Sequence, residues 1–113
     1  MSFKNIIFWN IVLIFNTLYA IFAVITLYEF YNVAILNNVR NYPWGLEHEN
    51  PWYYINGNTY ENVMLAEGII FSTCTITIFY QFIKLRKMAA FYAVLISTFI
   101  FILSIVNGNY KYL

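Results

Sequence analysis

Charged residues are scarce in this chain. Lysine, arginine, aspartate and glutamate together make up 10% of its 113 residues, whereas hydrophobic residues make up 62%. A soluble domain has about 25% charged residues, and a water-soluble fold of this composition would leave large apolar patches exposed. The composition therefore predicts an integral membrane protein. The basic residues are scattered or lie beside predicted helix ends, so nothing in the sequence indicates a nucleic-acid-binding surface.

Residues that bind metals or carry out nucleophilic chemistry are also few. Cys74 is the single cysteine, which excludes a disulfide framework and a cysteine-based metal site. His48 is the single histidine and lies between Glu47 and Glu49 in a predicted loop, so we expect an exposed residue rather than a metal ligand. No predicted helix contains a histidine that could be an axial haem ligand, and phosphate-binding, nucleophile-elbow and CxxC motifs are absent. We expect this chain to bind neither metal nor cofactor.

Three apolar runs are long enough to cross a membrane. A crossing needs roughly 20 helical residues. The pattern predicts an all-α membrane protein, with one domain over residues 1–113 and helices at about 6–28, 62–83 and 88–106. It also allows the first helix to continue to Leu36.

The predicted loop at 29–61 contains turn signals such as Asn50-Pro51 and Asn56-Gly57. It is also rich in aromatic residues: Trp44, Trp52, Tyr53, Tyr54 and Tyr60. Because aromatic rings favour the membrane interface, we expect an ordered loop lying there or on a neighbouring subunit.

Charge is distributed unevenly between the predicted membrane faces. Lys84, Arg86 and Lys87 form a basic turn between the second and third helices, and Lys4 precedes the first helix. The first loop is acidic. Basic short loops tend to stay on the side where synthesis occurs, so we expect the basic turn inside and the acidic loop outside.

Glu67 is the main candidate for a functional residue. It is the one ionisable carboxylate between Asn62 and Ile83, and a full crossing must reach back to about Met64, which takes Glu67 into the membrane. A charged carboxylate deep in a spanning helix costs about 2.5–3.5 kcal/mol or more, so such residues usually have a function or a buried partner. A desolvated carboxylate can relay protons near neutral pH. The alternative is a side chain that reaches back to the interface.

Helical spacing indicates which way Glu67 points. Glu67, Cys74 and Gln81 repeat every seven residues and therefore share a face. Gly68 and Ser72 form an adjacent small-residue face of the kind that mediates helix packing in lipid. We expect the carboxylate to face protein rather than lipid.

The segment Met64-Leu65-Ala66-Glu67-Gly68-Ile69-Ile70-Phe71-Ser72 resembles the second helix of subunit 4L of respiratory complex I. The resemblance implies three transmembrane helices and a place in the membrane arm of the proton-pumping NADH:ubiquinone oxidoreductase, with other subunits and lipids as partners. It assigns the carboxylate of the coupling path to Glu67 alone, because helix 3 has Ser97 or Thr98 near the position of the family's second carboxylate. The first loop is longer than in that family, and in length it is more similar to the first loop of subunit 3 of the same complex. However, this sequence lacks the loop Cys-Gly pair and the Asp-x-Glu motif of subunit 3.

The composition favours amino acids with AT-rich codons, which is typical of many mitochondrial genomes. We therefore expect the mitochondrial inner membrane, with a bacterial plasma membrane as the alternative. Two other functions remain open. One is a structural accessory subunit in which Glu67 pairs with a lysine or arginine of a neighbour. The other is an independent small transporter or a viral membrane protein, which would form a homo-oligomer.

Overall fold

The computed structural model describes residues 3–37, 44 and 52–109, and this part of the chain folds into three long α-helices. They are α1 (Phe3–Phe30), α2 (Gly57–Ile83) and α3 (Lys87–Asn109). Each is long and apolar enough to cross a membrane. The predicted all-α class with three potential spans is therefore confirmed. Each helix begins earlier than predicted, α1 and α3 also end later, and α2 ends at Ile83 as predicted.

The first helix continues past Phe30 through a π-helical turn, Tyr31–Ile35. It ends where Asn37 adopts a positive φ of 54°. Asparagine is one of the few residues that occupy this left-handed region at low cost, so it can terminate a helix as glycine does. The extension to Leu36 that the sequence pattern allowed is present.

The second helix begins five residues earlier than predicted. Asn56 caps it, because its side-chain oxygen accepts a hydrogen bond of 2.8 Å from the backbone N–H of Thr59. The Asn56-Gly57 pair, interpreted as a turn, is therefore a helix start. Glu67 lies ten residues beyond Gly57, or about 15 Å along the helix, which is deeper than the predicted boundary implied.

Helices α1 and α2 pack antiparallel, as the 5.6 Å between the ring centroids of Trp9 and Phe82 shows. The buried residues of α1 recur every three or four positions: Trp9, Val12, Asn16, Tyr19, Ala23 and Thr26. The two helices approach closely at Gly68, where an added Cβ would overlap the Leu27 side chain and lie 3.2 Å from Thr26 Oγ1. The prediction that Gly68 faces a neighbouring helix is confirmed.

The third helix packs against this pair through small apolar, aromatic and polar side chains. Phe101 meets Phe22 edge-on with 4.8 Å between ring centroids. The hydroxyls of Tyr19 and Thr98 hydrogen-bond at 2.6 Å. Much of the rest of α3 is exposed apolar surface, as expected of a helix that faces lipid or another protein.

A short 3-10 helix, Trp52–Ile55, closes one end of the α1–α2 pair. Tyr53 and Tyr60 are buried there with Val33 and Met64, and Trp44 packs on them. We call the segment Trp52–Ile55 together with Trp44 and Tyr60 the aromatic cap. Part of the predicted loop at 29–61 is thus helical, while its residues 38–43 and 45–51, which include Arg40, Glu47, His48 and Glu49, lie outside the described residues.

Candidate functional site

Glu67 lies half-buried on the side of α2 that meets α3. Ser104 Oγ of α3 donates a hydrogen bond of 2.9 Å to Glu67 Oε1. Hydroxyl-to-carboxylate contacts of this kind are among the stronger hydrogen bonds of proteins. The expectation that the carboxylate faces protein is met on this side of the helix.

A groove of ≈510 Å³ runs between α2 and α3 beside this contact. Its walls combine apolar side chains with three polar ones: Val63, Ala66, Glu67, Ile70, Phe71, Ile100, Leu103, Ser104 and Asn107. Trp52 Nε1 of the aromatic cap donates a hydrogen bond of 3.0 Å to Asn107 Oδ1. This contact ties the cap to α3 about one turn beyond Ser104.

The cap and the carboxylate also interact electrostatically. Burial, the negative charge of Glu67 and the neighbouring Tyr54, in decreasing order of effect, together raise the pKa of Tyr53 to about 12. A nearby carboxylate disfavours a second negative charge. Tyr53 therefore keeps its phenol proton at neutral pH and stays a neutral neighbour of Glu67.

The cations of the described residues are remote from Glu67. Lys4, Lys84, Arg86 and Lys87 lie where α1 begins and where α2 turns into α3. Lys84 is 17 residues along α2 from Glu67, or about 25 Å. In the part of the chain that the structure describes, Ser104 thus supplies the polar contact of Glu67, and no lysine or arginine pairs with it.

A second carboxylate lies under the cap, where the antiparallel helices bring the end of α1 to the start of α2. Tyr60 OH donates a hydrogen bond of 2.9 Å to Glu29 Oε2. Neither this pair nor Ser104 is among the residues predicted from the sequence. A signal exists for the pair, because Glu29 and Tyr60 lie at the two ends of the same predicted loop. For Ser104, the seven-residue spacing from Ser97 indicates a shared face of α3 but not a contact with Glu67.

The other members of the predicted Glu67 face do not join the site. Cys74 is a free, buried thiol. Gln81 Oε1 is buried without a hydrogen-bond partner, about 21 Å along α2 from Glu67. Among the described residues, no three histidine, cysteine, aspartate or glutamate side chains come together as metal ligands.

Chemically, the site is a carboxyl group with one serine donor at the edge of an apolar groove. Such a group can hold or release a proton, or pair with a cation that enters the groove. Comparison of the chain with protein-family models, with curated proteins and with solved structures finds no match.

Proposed function

We propose that this chain is a small membrane-arm subunit of a proton-pumping NADH:ubiquinone oxidoreductase, similar to subunit 4L, and that Glu67 relays protons. The observation that carries the proposal is the position of Glu67, half-buried against Ser104 at the seam between α2 and α3. The resemblance over Met64–Ser72 supplies the family. The proposed location is the mitochondrial inner membrane, with a bacterial plasma membrane as the alternative.

The geometry supports a relay with one carboxylate in this chain. Ser104 hydrogen-bonds Oε1, while Oε2 has no donor among the described residues. The ≈510 Å³ groove gives the carboxylate an open side. A proton taken up by Glu67 can leave through water or a titratable side chain of a neighbouring subunit in that groove. The neighbour, not α3, would supply the next acid or base.

The same groove favours a structural subunit as the second candidate. A lysine or arginine of a neighbouring helix that entered the groove would neutralise Glu67 and fix the two subunits together. In that arrangement Glu67 holds a constant charge and moves no proton. The two functions make different predictions for glutamine, which keeps an oxygen for Ser104 but cannot carry a proton.

The first experiment tests the complex. An affinity tag on the full chain should co-purify NADH:ubiquinone reductase activity from native membranes, and this activity should comigrate with the chain on native gels. Purification of the tagged chain without this activity would contradict the proposal that the chain is a subunit of the complex.

The second experiment tests the relay with Glu67→Gln and Glu67→Ala in the assembled complex. We expect both variants to lose most NADH-driven proton transport while NADH oxidation by an artificial acceptor persists. Glu61→Gln, on the same helix, is the control and should leave transport unchanged. Normal transport in both Glu67 variants would exclude the relay. Failed assembly of both variants would favour the structural role, because neither glutamine nor alanine can neutralise a cation of the neighbour.

A further inference from the structure

The end of the bundle opposite the aromatic cap is basic. Lys84, Arg86 and Lys87 lie in or next to the turn between α2 and α3, Lys4 lies near the start of α1, and all four are exposed. Lys87 Nζ donates a hydrogen bond to Asn5 Oδ1, which ties the turn to α1. The acidic residues that the structure describes lie toward the other end, so this end has a strong positive potential.

An apolar groove of ≈230 Å³ lies between the start of α1 and the end of α2. It is lined by Ile6, Trp9, Asn10, Leu13, Phe82 and Leu85. Because Leu85 lies between Lys84 and Arg86 in sequence, one end of the groove opens at the basic turn. From there the groove continues along the spanning part of α1, past the exposed amide of Asn10.

Leu85 adopts a backbone conformation that is unfavourable for leucine. Its φ is 54°, in the left-handed region where glycine normally ends a helix. The backbone N–H groups of Leu85 and Arg86 bond the carbonyls of Phe82 and Gln81, both at 3.1 Å, which is the usual glycine-ended arrangement. A glycine would make this turn without strain. The leucine instead places a 59% exposed apolar side chain at the mouth of the groove.

Aromatic rings lie beside three cations at this end of the bundle. Lys84 Nζ lies 5.8 Å and Arg86 Cζ 6.0 Å from the centroid of the Tyr80 ring, and Lys87 Nζ lies 5.1 Å from that of Phe8. Aromatic side chains of this kind mark the headgroup region of a bilayer. The cations and the groove therefore lie at the depths of a phosphate headgroup and an acyl chain.

From this juxtaposition of basic turn and groove we infer a binding site for an anionic phospholipid of the adjoining leaflet. Lys84 and Arg86 bind the phosphate, and the groove that Leu85 opens takes the start of one acyl chain. An acidic peptide would satisfy the cations but not an apolar groove that runs into the membrane. The inference holds whether or not the chain belongs to complex I.

The test is native mass spectrometry of the full chain in a mild non-ionic detergent. Phosphatidylglycerol and phosphatidylcholine with the same acyl chains are added in equal amounts. We expect phosphatidylglycerol to be retained in excess, and Lys84→Gln/Arg86→Gln to lower that preference about fivefold for each cation removed. The exchange variant Lys84→Arg/Arg86→Lys keeps both charges and should keep the preference. Equal retention of the two lipids by the native chain would overturn the inference.

Two further measurements separate the headgroup from the acyl chain. Leu85→Gly should reduce retention of both lipids, because it removes the apolar side chain at the mouth of the groove. It should also raise the unfolding temperature, because glycine adopts the positive φ of this position without strain. Unchanged retention of both lipids by Leu85→Gly would exclude the groove as the binding site of the acyl chain. Excess inorganic phosphate should not displace phosphatidylglycerol. Displacement would show that the site binds small anions and is not specific for a lipid.

Discussion

Helices α1 and α2 are packed much more tightly than α3. Over their most apolar stretches, 28% of the residues of each of the first two helices are buried, against 11% of those of α3. The first two helices meet at a glycine and share one buried face along their length. Helix α3 is joined to them by fewer contacts, among which are side-chain hydrogen bonds of Lys87, Thr98 and Ser104. Its Asn107 bonds Trp52 of the aromatic cap instead.

This difference shows where the candidate site can change. Glu67 belongs to the tightly packed pair, but its partner Ser104 belongs to the loosely packed helix. Helix–helix hydrogen bonds in membranes average only about 0.6 kcal/mol. A subunit that packs on the exposed face of α3 could therefore move Ser104 relative to Glu67 without disrupting the α1–α2 pair.

The largest effect should come from breaking the tight pair with Gly68→Leu. Even a Cβ at this position would overlap the Leu27 side chain and lie 3.2 Å from Thr26 Oγ1, so a leucine here requires Leu27 to move or α1 and α2 to separate. We expect a loss of about 3 kcal/mol in the free energy of unfolding, measured by detergent-induced unfolding with tryptophan fluorescence. Thr77→Leu adds bulk at an exposed position of α2 and should cost little. Equal stability of the two variants would show that the close approach at Gly68 is not needed.

A smaller effect should come from alkaline pH, through the cap on the same pair. The pKa of Tyr53 is raised from 10.0 to about 12. Between these values the folded chain keeps the phenol proton and the unfolded chain loses it. The stability that the neutral phenol contributes is therefore full below pH 10 and is lost as the pH rises to 12.

The loss over this interval should be about 2 kcal/mol. Unfolding free energies at pH 9 and pH 12 measure it, and Tyr53→Phe should remove this share of the decline. Tyr28→Phe, which changes a 61% exposed tyrosine, is the control and should retain the full decline. An identical decline in the native chain and in Tyr53→Phe would show that Tyr53 is not protected by burial.

The positions of the helices and of Gly68 and Glu67 follow from the sequence, whereas the exact start of α2 and the role of Ser104 do not. Apolar runs located all three helices, and helical spacing placed Gly68 against a neighbour and Glu67 toward protein. The predicted start of α2 was wrong because the Asn56-Gly57 pair is compatible with either a turn or a helix cap. The hydrogen bond from the backbone N–H of Thr59 to Asn56 Oδ1 shows that it is a cap. The role of Ser104 could not be predicted, because spacing within α3 does not fix its rotation or height relative to α2.

The smallest effect should come from loosening α3 with Tyr19→Phe. This change removes the 2.6 Å hydrogen bond to Thr98 but keeps the buried ring among Phe71 and Phe101. We expect a loss of about 0.6 kcal/mol, with α3 separating before α1 and α2 do. A pair of probes, one across α1 and α2 and one across α1 and α3, distinguishes the two events by energy transfer during unfolding.

Tyr92→Phe is the matched control, because Tyr92 is 52% exposed on the outer face of α3. In this control both probes should report the transitions of the native chain. If Tyr19→Phe also left the two transitions unchanged, the hydroxyl pair would not hold α3. Another contact would then have to hold α3 on the helix pair, such as the edge-on contact of Phe101 with Phe22. The proposal that the Ser104–Glu67 contact is adjustable would depend on the strength of that contact instead.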